Sequence, residues 1–158
     1  MKFAGSEKLR GQRVLVTGGT GFVGARLVPA LLENGAHVTA LLRSHHSARM
    51  LRQMGANVVI GALDDPSVTG AALRQQDVLF HLAYDMRAPA ATNLAEFNAL
   101  MAAAEAADIG RIIHISSIVV YDGWPQADLA KDSPVSRPGG TPYRQAKMTM
   151  EKTLMRVI

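Results

Sequence analysis

The sequence predicts an α/β fold, a doubly wound parallel sheet of five strands in the order 3-2-1-4-5 with helices on both faces. Three observations predict it. Apolar runs of strand length alternate with helix-period stretches from Arg13 onward. The runs are apolar almost throughout, as in strands covered on both faces, rather than alternating with polar residues. The segments between them carry helix start and stop signals. At 158 residues the chain is expected to form one domain over 1–158, large enough to bury about 70% of the surface its unfolded form exposes.

The first strand, Arg13–Thr17, runs straight into Gly18-Gly-Thr-Gly-Phe-Val-Gly24 and then a helix from about Phe22 to Asn34, with Pro29 inside it and Gly35 as its stop. The glycines fit the spacing Gly19-x-Gly21-x-x-Gly24 and equally Gly18-x-x-Gly21-x-x-Gly24. In such a strand–turn–helix, glycines permit a sharp turn, close approach of an anion and tight helix packing, while unpaired amides at the helix start face the anion. This is a cradle for a dinucleotide pyrophosphate. The second strand is His37–Leu42, followed by a helix that Ser47 can cap and Gly55 ends. The third is Val58–Ile60, and Asp65-Pro66 then reads as an N-cap with proline at the first helical position. The fourth, Asp77–Ala83, leads to an alanine-rich helix from about Asn93 to Ala107 that closes before Gly110. The fifth is Arg111–Ser116. Beyond it a long loop, Ile118 to Gly140, holds three of the seven prolines and the only tryptophan, before Thr141-Pro142 opens a last helix. A loop of this length at a strand's carboxyl end is expected to be functional, because open α/β sheets bind ligands there.

Several function classes are disfavoured by composition. The net charge of +4 is scattered rather than gathered, so neither a nucleic-acid arm nor a polybasic membrane anchor is expected. The chain has no cysteine, which excludes disulfides and thiolate metal sites and suits a reducing cytoplasm. His45 and His46 are adjacent and lack a carboxylate at ligand spacing, so no metal is expected. No run of about 18 apolar residues occurs and the first residues carry no apolar leader, so the expectation is a cytoplasmic, untargeted protein.

Tyr143 and Lys147 stand at i and i+4 on the last helix, one turn apart on one face. The neighbouring ammonium favours the phenolate, so the pair is suited to proton transfer. Ser117, just past the fifth strand, can hydrogen-bond the same substrate oxygen.

With these pieces in place the chain resembles the short-chain dehydrogenase/reductase superfamily, in its extended NAD(P)-dependent epimerase/dehydratase branch. The resemblance is carried by Thr17-Gly-Gly-Thr-Gly-Phe-Val-Gly24, His81-Leu-Ala83, Ile115-Ser-Ser-Ile-Val-Val-Tyr121 and Tyr143-x-x-x-Lys147, in family order over Arg13 to Leu154. It implies a Rossmann-like fold and a catalytic group of Ser117, Tyr143 and Lys147. It also implies cofactor contacts at Gly18, Gly21, Phe22, Val23, Gly24, Leu63, Ala83, Tyr143 and Lys147. In the family the tyrosine exchanges a proton with a substrate hydroxyl or carbonyl while nicotinamide exchanges a hydride. The chain departs from the pattern at Gly61-Ala62-Leu63, which lacks the acidic residue after the glycine, at Tyr84, where a small residue is common, and at Glu96-Phe97-Asn98-Ala99. His81 reads as a packed, structural residue.

An NAD site uses a carboxylate about 20 residues past the turn for the ribose 2′-hydroxyl, whereas a 2′-phosphate calls for arginine. Arg43 stands 19 residues after Gly24, and no acidic residue lies between Leu41 and Gln53. NADP(H) is therefore expected in preference to NAD(H). The leading function is an oxidoreductase acting on a hydroxyl or carbonyl of a small sugar-like or polyol-like molecule, with reduction, epimerisation and dehydration all open. Asp85, Met86, Arg87 and Trp124 are candidates for the near side of the substrate pocket. The pattern lacks a sixth strand and a C-terminal substrate region, so the chain is expected to be the front part of a longer enzyme. A non-catalytic nucleotide-binding fragment or redox-sensing module is the alternative. The outer edge of the fifth strand and a face of the last helix around Met150, Leu154 and Val157 are expected to lack cover, which leaves room for a homo-oligomer.

Overall fold

The computed structural model describes residues 9–125, 128–135 and 137–157, with the side chain of Val157 outside the description. Five parallel strands form one sheet in the order β3-β2-β1-β4-β5. They are β1 (Arg13–Thr17), β2 (His37–Leu42), β3 (Asn57–Ile60), β4 (Val78–His81) and β5 (Arg111–His114). The helices are α1 (Gly24–Glu33), α2 (Ala48–Gln53), α3 (Pro66–Leu73), α4 (Ala90–Ala106) and α5 (Pro142–Val157), and a short 3-10 turn covers Ile118–Val120.

Alternation along the strands divides the core. Val14, Val16, Val38, Ala40 and Val78 face α1 and α2, while Leu15, Leu41 and Leu79 face the other way toward Phe97, Leu100 and Met101 of α4. Full burial of each larger side chain contributes about 1.5–3 kcal/mol, so both layers hold the sheet. None of the helices is long and apolar enough to cross a membrane among the described residues.

Strand ends differ from the sequence expectation for one physical reason. β4 stops at His81 rather than Ala83 and β5 at His114 rather than Ser116, because β1 ends at Thr17 and turns away. The Leu82 amide still donates to Thr17 O at 3.2 Å and the Ile115 amide to His81 O at 3.3 Å, and the ladder ends there. α1 begins at Gly24 rather than Phe22. α3 is capped as expected, the Asp65 side chain accepting from the Ser67 and Val68 amides. Ser47, by contrast, makes no side-chain cap bond. α4 starts three residues before Asn93, at Ala90, since Pro89 already has a φ compatible with a helix entry and alanines follow it. At its far end the left-handed residue is Asp108, φ 52°, not Gly110.

The last helix is also better covered than its sequence suggested. Met150 is buried and Leu154 partly buried in the layer formed by α3 and α4. That apolar stripe therefore has an intrachain partner, although β5 remains the sheet edge.

Candidate nucleotide and catalytic site

The turn after β1 resolves the two glycine spacings. Gly18 has φ +68°, and a Cβ there would lie 2.7 Å from the Ala83 amide nitrogen. A Cβ on Gly24 would lie 2.6 Å from Gly19 Cα and closer still to the Gly18 carbonyl oxygen. Gly19 has no such constraint, since its Cβ would meet Val28 at 3.4 Å, an ordinary contact. The backbone thus uses Gly18-x-x-Gly21-x-x-Gly24, and the Gly21 amide donates to the Gly18 carbonyl at 3.0 Å to close the turn. Any larger residue at Gly18 or Gly24 would fill or distort the anion cradle.

A cleft of about 300 Å3 opens beside this turn at the carboxyl ends of the strands, the position where open α/β sheets take ligands. Five expected cofactor residues, Gly18, Gly21, Arg43, Leu63 and Ala83, form its walls. Gly24 is buried at the base of the turn, while Phe22 and Val23 are exposed beside it and are not wall residues. Ser117, Tyr143 and Lys147 are not on the walls either. The glycines and small side chains of the turn leave room for a dinucleotide, with the Arg43 guanidinium at one wall.

Tyr84 joins the two groups of residues. It lines the cleft, its ring meets Tyr143 edge-on with centroids 5.0 Å apart, and the Lys147 ammonium lies 4.8 Å from its centroid. Burial, then the neighbouring Tyr143, pushes the Tyr84 hydroxyl above its usual range, so it stays protonated. Lys147 is only 4% exposed and donates to the Ile115 carbonyl at 2.8 Å. Burial brings its ammonium down to about 8, with Glu151 opposing. Glu151 in turn accepts from the Ser116 hydroxyl. Ser117 opens the 3-10 turn that packs on α5, and its Oγ accepts from the Val119 amide at 3.4 Å.

Beneath Lys147 lies a row of polar side chains in register on β1, β4 and β5. Thr17 Oγ1 meets His81 Nδ1 at 2.8 Å, and the His81 ring stacks on His114 at 5.2 Å. His81 is buried as expected for a structural residue. Burial holds both imidazoles in the neutral form, His114 at about 4 and His81 below the usual histidine range.

Two arrangements had weaker signals in the sequence. Arg43 Nη1 donates to Asp85 Oδ2 at 2.9 Å, so the arginine expected for a 2′-phosphate carries an ion pair with a residue of the segment after β4. Arg144, next to Tyr143, reaches into the long loop. Its guanidinium donates to the carbonyls of Val119 (2.8 Å), Val120 (3.2 Å), Arg137 (2.7 Å) and Gly139 (3.0 Å) and to Asp122 Oδ1 (2.8 Å). A helix-borne arginine beside the tyrosine would have been the only hint. Among the described residues no group of three or more His, Asp or Glu side chains is placed to hold a metal.

The family model described as NAD(P)H-binding matches residues 18–156. Over 150 residues the chain is 31% identical to a 4-hydroxy-2-methyl-3-oxo-4-farnesyl-3,4-dihydroquinoline-1-oxide ketoreductase of Stigmatella aurantiaca, covering 90% of this chain and 45% of that protein. Over 154 residues it is 31% identical to the 2-alkyl-3-oxoalkanoate reductase of Stenotrophomonas maltophilia, covering 90% and 46%. The chain thus spans less than half the length of these curated relatives. Among solved structures, a short-chain dehydrogenase/reductase superfamily protein from Agrobacterium tumefaciens with bound NAD superposes with a TM-score of 0.75 at 27% identity, over 90% of this chain and 44% of that one. The UDP-Glc/GlcNAc 4-epimerase of Campylobacter jejuni shares the fold with a TM-score of 0.80 at 19% identity, over 93% and 49%.

Proposed function

The chain belongs to the NAD(P)H-binding family, and on that premise we propose that it is a member of the epimerase/dehydratase branch of the short-chain dehydrogenase/reductase superfamily and serves an NADP(H)-dependent reduction of a small-molecule carbonyl. The observation that carries this reading is the contact of Tyr84 with Tyr143 and Lys147 at the wall of the glycine-turn cleft. It supports Tyr143 and Lys147 working as a proton-transfer pair next to a nucleotide held by the turn and Arg43. Bound nicotinamide supplies the hydride.

The chain's own residues divide the remaining work. The Gly18–Gly24 turn binds pyrophosphate at the start of α1, where the Ala25, Arg26 and Leu27 amides are already taken by the Gly21 and Val23 carbonyls, and Arg43 binds the 2′-phosphate. Tyr143 Oη delivers a proton to the carbonyl oxygen as charge develops there. Lys147, one helical turn from Tyr143, holds a buried cation against the Ile115 carbonyl and the Tyr84 ring on that side of the cleft. Ser117 Oγ accepts from Val119 and so keeps its own proton for the substrate oxygen. The reductases among the relatives, the two named above included, support net reduction over epimerisation or dehydration.

Tyr143→Phe tests the assignment. NADPH affinity by calorimetry should be unchanged within about twofold, while NADPH oxidation against a panel of ketones falls by at least about a hundredfold. Turnover that survives the substitution would take the tyrosine out of the mechanism.

A further inference from the structure

We infer that Asp85 tunes the choice between phosphorylated and plain pyridine nucleotide by holding Arg43 in an ion pair that a 2′-phosphate must displace. The inference rests on the proposed use of Arg43 for NADP(H). Both side chains line the cleft, Arg43 just beyond β2 and Asp85 in the segment after β4. In the sheet β1 lies between those strands, so the 2.9 Å contact spans the cleft on the side of the glycine turn.

The two partners are unequally fixed. The Asp85 amide donates to Asn93 Oδ1 at 2.7 Å, and the Asp85 carbonyl accepts from Asn93 Nδ2 at 3.0 Å. Asn93 is itself buried in α4, and it also reaches the Pro89 carbonyl at 3.2 Å. One carboxylate oxygen of Asp85 accepts the Arg87 amide at 2.9 Å, which leaves the other directed to Arg43. Asp85 is thus a mounted acid. Arg43 is the free-moving half, its side chain 59% exposed against 26% for Asp85.

A plain ribose can enter with this pair intact. A 2′-phosphate cannot, because it competes for the same guanidinium and leaves the Asp85 carboxylate unpaired beside a dianion. Asp85 is then a repulsive element that keeps the preference for the phosphorylated nucleotide shallow, in the way specificity is set by what is disfavoured as well as by what is bound. An exposed ion pair is individually weak, so the effect is moderate, and the added repulsion acts on one nucleotide only.

The purified chain is titrated with NADPH and with NADH, by calorimetry or nucleotide fluorescence, as wild type, Asp85→Asn, Arg43→Ala and the double variant. Asp85→Asn keeps the acceptor for the Arg87 amide and removes the charge. It should tighten NADPH about three- to tenfold and leave NADH within about twofold. In the Arg43→Ala background the same substitution should gain NADPH less than about twofold, because the contested partner is gone. A gain equal in both backgrounds, equal for both nucleotides, or absent while Arg43→Ala weakens NADPH overturns the role of Asp85. NADPH affinity untouched by Arg43→Ala overturns instead the reading of Arg43 on which it rests. Failure of both nucleotides to bind any of the four proteins overturns both.

Discussion

Arg144→Ala should release the loop between β5 and α5 without unfolding the sheet. The side chains of Arg144 and Asp122 are only 14% and 8% exposed, so this is a largely buried ion pair rather than a surface one. Removing one partner of such a pair costs about 3–5 kcal/mol, and the lower end applies because Asp122 keeps its other interactions, the Arg137 amide among them. Four backbone carbonyls lose a charge-assisted bond as well, each worth about 1.5–3 kcal/mol in isolation. Those losses overlap, since one group makes them all, and water recovers part of them once the loop lifts. A local cost near the buried-pair figure corresponds to a hundredfold or more in the opening equilibrium, at about 1.4 kcal/mol per decade. Amide hydrogen exchange reads it directly. The Asp122 amide, bonded to Pro134 O at 2.7 Å, and the Arg137 amide, bonded to Asp122 at 3.1 Å, are the reporters. Both should lose protection by roughly a hundredfold while the amides of β1 and β2 keep theirs. Arg144→Lys should recover only part of the loss, because one ammonium cannot reach four carbonyls and a carboxylate spread around a planar fork. Protection at the two reporters within about threefold of wild type, or an equal fall across the sheet, would refute the reasoning.

The glycine turn and the buried lysine supply further expectations. Gly24→Ala and Gly18→Ala should each destabilise the fold by about 1–3 kcal/mol in urea unfolding and abolish nucleotide binding, since a Cβ at either meets backbone at 2.6–2.9 Å. Gly19→Ala should change stability by less than about 0.5 kcal/mol, and a Gly19 variant as damaged as the Gly24 one would contradict the assigned spacing. Lys147 titrates near 8 in the fold against a usual value of 10.5, so across that window the unfolded chain binds more protons. Stability should therefore rise as pH increases from about 8 toward 10.5. Urea unfolding at several pH values should show this slope for the wild type and its loss in Lys147→Met.

What could be read in the sequence was whatever rests on neighbours along the chain. The βα alternation, the Asp65 cap and the Gly18–Gly24 turn depend on residues a few positions apart, and all are found in place. Helix starts were less legible where polar residues have a second use. Asn93 resembles a cap, yet it sits inside α4 with its amide turned back to brace Asp85 and Pro89. Strand ends overshot because each strand stops where its partner stops, not where its own apolar run does. The missing cover on Met150 and Leu154 was an error of the same kind, since α4 supplies it.

The candidate site divides along this line. Its glycine-turn half, which would hold phosphate, is local sequence, whereas the parts that would set specificity and proton transfer are pairings across the fold. Arg43 meets Asp85 over 42 positions, Lys147 meets Ile115 over 32 and Arg144 meets Asp122 over 22. From the chain alone Arg43 and Lys147 read as ligand-facing cations and Arg144 carries no reading. Each is instead matched to an acceptor that another element holds in place, and two of the three are substantially buried. Burial is what gives such pairs energetic weight, because charge interactions strengthen as water is removed. The exposed pair, Arg43 with Asp85, is correspondingly the one through which the proposed exchange with an incoming anion would run, while the buried pair at Arg144 ties the loop to the helix that carries Tyr143.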